Sequence, residues 1–288
     1  ENRMGTHTGT NSRSAHATFE VCGDLTGIDL YRRNAFRILG LPVGASLQSA
    51  AKSQKLREMQ QKLGIENASP RGADAVLPLS SPPDAEATRR AGDTMQDPVA
   101  RFVHGCLWFW PTDEGTGSDG SLALLSSAHP AVALRSWQRH FTERSDSVVV
   151  QHNIAVLAHA LALDLESDLR AAPLSRDQET SRWAFWDIAL RTWRELLDSP
   201  QFWQRVRTLR DIADDPRLPV DIAHRFRDWL PEVILRTSAR VVVAAATRGA
   251  ESHELSSAFV DAAAFFLPDG RPDAASKKPS SAAPAAHT

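Results

Sequence analysis

The sequence predicts an all-α protein, and three observations lead to this prediction. Apolar residues recur at every third or fourth position through most of the chain, as they do on one side of a helix. Gly, Pro, Ser and Asp stand where these periodic segments begin and end, as helix caps and stops do. No convincing alternation of apolar and polar residues marks a strand, since Val148–Val150 is too short to form one.

Composition narrows the class of protein further. The chain has 288 residues, of which 42% are hydrophobic, and its formal net charge is -2. This is the balance of an ordinary globular protein, and it creates no overall field that attracts nucleic acid or an anionic membrane. The two cysteines, Cys22 and Cys106, are too few for a disulfide framework or a four-thiolate zinc site.

The sequence predicts neither a membrane span nor a secretory signal. The apolar stretch Val241–Ala246 is far shorter than the ~18 residues that a membrane span needs. No charged start followed by an apolar core marks a secretory signal. We therefore expect a cytoplasmic protein that binds neither nucleic acid nor a membrane.

Capping residues predict the first two helices. Asp29 caps a first helix, and Gly40 ends it. Ser46 caps a second helix over 47–63, which is polar along most of its length. The basic residues of this second helix are Lys52, Lys55, Arg57 and Lys62.

Two further helices follow a long, proline-rich loop over 65–83. Asp84 caps the third helix. Asp97 then starts a fourth helix, with Pro98 at the first helical position, where proline is favoured. This fourth helix leads into the aromatic run Trp108–Trp110.

A second group of helices makes up the later part of the chain. The periodic segments lie at about 130–142, 147–166, 179–198, 200–213, 219–247 and 251–267. Apolar residues almost surround the helix over 147–166, so we expect this helix to be central. The acidic residues at its end, Asp164, Glu166 and Asp168, are typical of a solvated helix terminus.

Three segments lack helical periodicity and divide the chain. Residues 1–27 are rich in Ser, Thr, Gly and Asn, and residues 268–288 are rich in Pro, Ala and Ser, so both are predicted to be disordered. Residues 112–120 are predicted to be a Gly-rich linker. These boundaries predict a first unit at 28–111 and a second unit at 121–267.

The first unit resembles a J domain of the DnaJ family. The segment Tyr31–Pro42 is similar to the first helix of that family, and Ala45–Ser46 followed by a basic helix is similar to the second. Met95–Arg101 resembles the segment that joins the third and fourth helices. The resemblance implies a DnaK-type ATPase as a partner, docked on the second helix through Lys52, Lys55, Arg57 and Lys62.

The resemblance is incomplete at the functional motif of the family. J proteins stimulate the ATPase through a His-Pro-Asp motif between the second and third helices, and Pro82-Pro83-Asp84 stands at that place. Pro83 and Asp84 match the last two positions, so they join the predicted partner-binding residues. Proline has no side-chain donor to replace the imidazole, so we expect the usual ATPase stimulation to be absent. The alternative is that Pro-Pro-Asp is only a helix cap.

The second unit resembles degenerate tetratricopeptide (TPR) helices. Ala133–Phe141 and Ala189–Leu197 share the pattern Ala-Leu-Arg-x-Trp, and His152–Ala158 resembles the first helix of a repeat. The linker from Ser167 to Ser181 is too long for a standard 34-residue repeat, so a looser helical-hairpin array is expected. Such arrays usually bind peptides or proteins.

The sequence offers few residues for catalysis or for a cofactor. Gly115–Gly120 matches G-x-G-x-x-G but lacks the preceding strand of a dinucleotide site. His152 and His159 are seven residues apart, a rise of roughly 10 Å, which is too far for them to share one metal ion directly. The eight Trp residues all lie between 108 and 229 and are expected in the core, with an aromatic ligand surface as the alternative.

We therefore expect a non-enzymatic protein-binding adaptor or a co-chaperone-like protein, with no catalytic residues, no metal and no cofactor. The alternative is a nucleotide-binding regulator or an enzyme that uses the Gly115–Gly120 loop.

Overall fold

Helices make up most of the part of the chain that the structure describes, with turns and short loops between them. The structure is a computed structural model, and it describes residues 19, 25, 27–63, 76–79, 81–111, 120–127, 129–143 and 147–247. No strand occurs among these residues, so the all-α prediction is confirmed. The helix expected at 251–267, the tail 268–288 and most of the linker 112–120 lie outside the described residues.

The described residues form ten helices. They are α1 Ala35–Leu39, α2 Leu47–Lys62, α3 Ala85–Gln96, α4 Pro98–Cys106, α5 Gly120–Ser126, α6 Pro130–Glu143, α7 Val148–Ala171, α8 Arg176–Asp198, α9 Pro200–Ala213 and α10 Ile222–Thr247.

Side-chain caps start several of these helices at the predicted residues. Ser46, Asp84 and Asp97 each accept a hydrogen bond from the backbone N–H group three residues later. Ser199 caps α9 in the same way, with Pro200 at the first helical position. These bonds satisfy N–H groups that have no partner within the helix itself.

The first helix is shorter than predicted. Asp29 was expected to cap it, but residues 28–33 form turns, and Asn34 is the cap of α1. The Asn34 side chain accepts from the Phe36 N–H and donates to the His104 carbonyl at 2.9 Å. This long-range bond fixes the start of α1, and no local pattern reveals it. Gly40 ends the helix as predicted, at a positive φ of 66° that favours glycine.

The helices α7 and α8 form a hairpin with a short connection. Only residues 172–175 join them, so the prediction of a long linker over 167–181 is wrong. Ser175 and Gln178 form a reciprocal capping box at the start of α8. The helix α7 extends past 166, because its acidic residues pair with arginines instead of ending the helix.

Two of the three acidic residues at the end of α7, Asp164 and Glu166, are therefore not solvated, whereas the side chain of Asp168 is 51% exposed. Glu166 is 1% exposed, and its Oε1 accepts from the Arg182 guanidinium at 3.1 Å and from the Trp186 indole at 3.2 Å. Asp164 pairs with Arg37 of α1, with Nη2–Oδ2 and Nη1–Oδ1 distances of 2.6 and 3.2 Å. Because both carboxylates have guanidinium partners, α7 continues past these residues without exposing them to water.

One hydrophobic core includes residues of both predicted units. Buried side chains of α1 and α4 belong to the same core as those of α7, α9 and α10. Most of the tryptophans lie in this core, as predicted: Trp108, Trp110, Trp137, Trp186, Trp193, Trp203 and Trp229. Two residues of the segment 1–27, Phe19 and Leu25, are also buried there, so the prediction of disorder fails at these two positions. Phe19 packs on Trp229, with ring centroids 4.8 Å apart.

The helix α7 lies at the centre of the molecule, as expected. One described segment, Val148–Arg170, is long and apolar enough to cross a membrane, and 67% of its apolar window is buried inside the protein. Its polar side chains bind other parts of the chain. His152 bonds to the Cys106 carbonyl at 2.8 Å, and Asn153 bonds to both backbone groups of Trp110 at 2.8 Å. This pattern is typical of a core helix in which buried polar groups have partners.

Candidate functional site

The helices α2 and α3 pack side by side in opposite directions. Gln61, near the end of α2, donates to Thr88 in the first turn of α3 at 3.0 Å, whereas Gln54 lies against Gly92 one turn further along. A methyl group at Gly92 would overlap the Gln54 side chain, so this glycine permits the close approach. The inner side of α2 is therefore formed by small and polar residues.

The outer side of α2 carries the large apolar residues. Leu56, Met59 and Leu63 are 47%, 52% and 64% exposed. Their spacing of three and four residues places them in one stripe along the helix. Only Ala50 of this helix is buried. The large apolar residues of α2 therefore do not face the protein, as they would in an ordinary surface helix.

Three of the predicted basic residues lie in the same sector of the helix. Lys52, Lys55 and Lys62 are exposed and alternate with the apolar stripe. None of these lysines forms an ion pair with a described residue. We call this surface the outward face of α2, and it consists of Lys52, Lys55, Leu56, Met59, Lys62 and Leu63.

The fourth predicted basic residue does not belong to this face. Arg57 is half-buried toward α3, and burial lowers the pKa of its guanidinium. Its Nε atom has no hydrogen-bond partner among the described residues. Arg57 is therefore less accessible than the three lysines, and its predicted role in binding a partner stays a prediction.

Pro83 and Asp84 lie at the end of α2, where α3 begins. The Pro83 carbonyl accepts from Gln61 Nε2 at 2.8 Å, which ties the loop to the residue next to Lys62. The Asp84 side chain accepts from the Ala87 N–H at 2.7 Å and caps α3, as predicted. Asp84 remains exposed, and Pro83 is half-buried. Pro83 and Asp84 therefore lie near the Lys62 end of α2, where the Pro83 carbonyl contacts Gln61 on the inner side of that helix.

The charged side chains on the neighbouring surface of α3 pair with one another. Glu86 pairs with both Arg89 and Arg90, and Arg89 also pairs with Asp93. The hydrogen bonds from the two arginines lower the pKa of the Glu86 carboxyl to about 2. These charges neutralise each other, whereas the three lysines on the outward face of α2 are exposed to solvent.

Sequence reasoning found the lysines but missed Leu56, Met59 and Leu63. The available signal was a helix whose apolar residues recur at helical spacing but whose opposite side carries Gln54, Arg57 and Gln61 instead of core residues. Periodicity alone does not show which side of a helix faces the protein.

The buried histidines form bonds within the core. His152 stacks on Trp110 with ring centroids 3.6 Å apart, and His159 Nδ1 lies 3.1 Å from the Tyr31 hydroxyl. Burial lowers their pKa values, to about 4 for His152 and to about 3 for His159. Among the described residues, no group of three or more His, Cys, Asp or Glu side chains is placed to hold a metal ion.

Comparison of the chain with models of protein families, with curated proteins and with solved structures finds no match.

Most of the glycine-rich motif Gly115–Gly120 is not described by the structure, so the nucleotide site considered there stays a prediction. Residues 112–119 lie outside the described residues, and Gly120 is the first residue of α5. The outward face of α2 can bind a partner non-covalently. Its ammonium groups can pair with carboxylates, and burial of its apolar side chains away from water is favourable.

Proposed function

We propose that the chain is a non-enzymatic, protein-binding adaptor of the co-chaperone type, and that the outward face of α2 is its docking surface. The observation that carries the proposal is the exposure of the apolar stripe on this helix. Leu56, Met59 and Leu63 face water although a polar side faces the protein. Contiguous exposed apolar side chains set among polar residues are typical of interaction surfaces.

The charge of this face favours a particular partner. Lys52, Lys55 and Lys62 contribute three positive charges that no described acidic residue neutralises. A protein surface that presents carboxylates around an apolar patch complements them. A DnaK-type ATPase is the candidate partner, since the sequence of this unit resembles a J domain.

The arrangement of the first four helices supports the J-domain-like interpretation. A short helix ending at Gly40 precedes two antiparallel helices, and α4 follows directly after Asp97. The α7–α8 hairpin likewise supports a helical-hairpin unit of the TPR type, although its helices are longer than those of a 34-residue repeat.

We expect docking without the usual stimulation of ATP hydrolysis. Pro82 stands where a J domain has histidine, and proline offers no side-chain hydrogen bond. The Asp84 carboxylate caps α3, and the Pro83 carbonyl accepts from Gln61. Both of these groups serve the local structure of the α2–α3 pair.

The proposal is tested by charge reversal and a binding assay. The double variant Lys52→Glu/Lys55→Glu is compared with Arg135→Glu/Arg139→Glu, which makes the same change in net charge at two exposed residues of α6. Binding of the full chain to a purified DnaK-type ATPase is measured by biolayer interferometry. We expect the α2 variant to bind at least about tenfold more weakly, which corresponds to about 1.4 kcal/mol, and the α6 variant to bind like the parent protein.

A second pair of variants tests the apolar part of the surface. Leu56→Ser/Met59→Ser is expected to weaken binding, whereas Val132→Ser, at an exposed apolar residue of α6, is expected to leave it unchanged. Equal affinity for the two double charge variants would contradict docking on α2. Tight binding of ATP to the full chain by calorimetry would instead favour a nucleotide-binding regulator.

A further inference from the structure

A cleft lies at the other end of α2, away from Lys62. It is bounded by the turn before α2, by α4 and by the end of α9 with the turn that follows. Its volume is about 560 Å³. Pockets of roughly 300–1,000 Å³ are the usual size for sites that take small molecules.

Buried apolar side chains line the inner part of this cleft. Phe36 of α1 and Phe102 of α4 contribute aromatic rings, and Cys106 contributes a thiol at the end of α4. Burial raises the pKa of this thiol, so the sulfur is present as a neutral, weakly polar group. The inner part of the cleft therefore offers van der Waals contact and no charge.

Large apolar residues also stand at the entrance of the cleft, where they contact water. Ile212, at the end of α9, is 67% exposed, and Leu47, the first residue of α2, is 37% exposed. Both residues line the cleft. An apolar occupant would cover them together with the aromatic rings, and removal of this surface from water is favourable.

The charged residues at the entrance neutralise each other. Asp215 accepts from Arg101 at 3.0 Å and from Arg217 at 2.8 Å. The hydrogen bonds from Arg217 and from Arg101 lower the pKa of the Asp215 carboxyl. The adjacent Asp214 balances the remaining positive charge. No excess charge at the entrance selects for an ionic ligand.

We propose that this cleft is a binding site for one uncharged, apolar small molecule. The size of the cleft favours a small molecule, and its aromatic lining and the internal pairing of its ions favour an uncharged, apolar one. The site lies at the start of α2 and is separate from the outward face, so it is independent of protein docking.

The neutral fluorophore N-phenyl-1-naphthylamine is a suitable probe, because its emission rises when it leaves water. Titration of the full chain is expected to give a saturable signal with one site per chain. Ala213→Trp, which adds an indole at the entrance, and Ile212→Lys, which adds a charge there, are each expected to weaken binding by at least tenfold. Val220→Lys is the matched control, since Val220 is 84% exposed and does not line the cleft.

Each other outcome overturns the proposal. The absence of saturable binding contradicts the site, and equal affinity of the parent and both cleft variants places the probe elsewhere on the chain. Far-UV circular dichroism identifies a variant that fails to fold, and Ile212→Lys, at an exposed position, then carries the test alone. Sedimentation velocity addresses a second copy of the chain as occupant: a dimer that Ile212→Lys dissociates would replace the small molecule.

Discussion

At the scale of single residues, Asp84 connects a sequence motif to a local physical role. Its carboxylate caps α3 through the Ala87 N–H, and its exposed position costs little desolvation. We predict that Asp84→Ala lowers the free energy of unfolding by about 1 kcal/mol and leaves the turnover of a DnaK-type ATPase unchanged. Urea denaturation and a steady-state ATPase assay measure the two quantities.

The conservative variant Asp84→Asn distinguishes helix capping from an effect on the ATPase. Asn is as good a cap as Asp, so Asp84→Asn is expected to keep the stability of the parent protein. If the parent protein accelerates the ATPase and Asp84→Ala abolishes this effect, then Pro83 and Asp84 act as a functional motif without the histidine.

A second residue-scale prediction concerns the buried ion pair between Arg182 and Glu166, which are 3% and 1% exposed. Arg182→Met leaves a carboxylate in the core without this guanidinium, so we expect a loss of about 3–5 kcal/mol in the free energy of unfolding. The exposed pair of Arg191 with Asp187 is the matched control, and Arg191→Met is expected to cost less than about 1 kcal/mol.

The double variant Arg182→Met/Glu166→Gln tests the electrostatic cause. It removes both charges and keeps an acceptor for the Trp186 indole, so it is expected to recover most of the lost stability. If the double variant is no more stable than Arg182→Met, the loss comes from packing and not from the buried charge.

At the scale of helices, the sequence predicted the capping residues better than it predicted the lengths of the helices or the sides that they bury. Ser46, Asp84, Asp97 and Gly40 mark helix ends in the structure, because capping depends on neighbours within a few residues. The end of α7 was placed too early, because Asp164 and Glu166 pair with arginines far away in the sequence or in the next helix.

The same limit applies to the candidate site. The lysines of α2 were predicted because charge is visible in the sequence, and the apolar stripe was missed because its exposure depends on which side packs against α3. The partial burial of Arg57 could not be predicted for the same reason. Composition and spacing identify the residues of a helix face, and only packing decides which face is free.

The contact of α7 with the aromatic run before the linker gives an element-scale prediction. Asn153 accepts from the Trp110 N–H and donates to the Trp110 carbonyl, both at 2.8 Å and both buried. We predict that Asn153→Ala lowers the free energy of unfolding by about 3 kcal/mol, because it leaves two buried backbone groups without this partner. Urea denaturation followed by tryptophan fluorescence measures the change. Gln151→Ala, which removes an exposed bond to Glu195, is the control and is expected to have little effect.

At the scale of the whole molecule, α7 joins the two predicted units into one core. Arg37 bonds to Asp164, Tyr31 to His159, and the Cys106 carbonyl to His152. Buried histidines therefore lie where the early helices meet the later ones. Their protonation affects the stability of the whole molecule and not of one helix.

The last prediction follows from the charge state of these histidines. Burial lowers the pKa values of His104 and His152 to about 4 and that of His159 to about 3, from 6.5 in the unfolded chain. Between pH 6.5 and 4, the unfolded chain binds protons that the folded chain does not bind, so stability falls as the pH falls through this window. Near pH 5 the difference is roughly three protons, a slope on the order of 4 kcal/mol per pH unit.

Urea denaturation at a series of pH values between 7.5 and 4.5 measures this slope. The loss is expected to begin near pH 6.5, above the pH at which the carboxylates of an unfolded chain take up protons. His140→Gln, at an exposed position, is the control, since it leaves the three buried rings in place. A free energy of unfolding that stays constant from pH 7 to pH 5 would mean that the three buried rings become charged without cost, which contradicts their burial against Ala35, Cys106 and Tyr31.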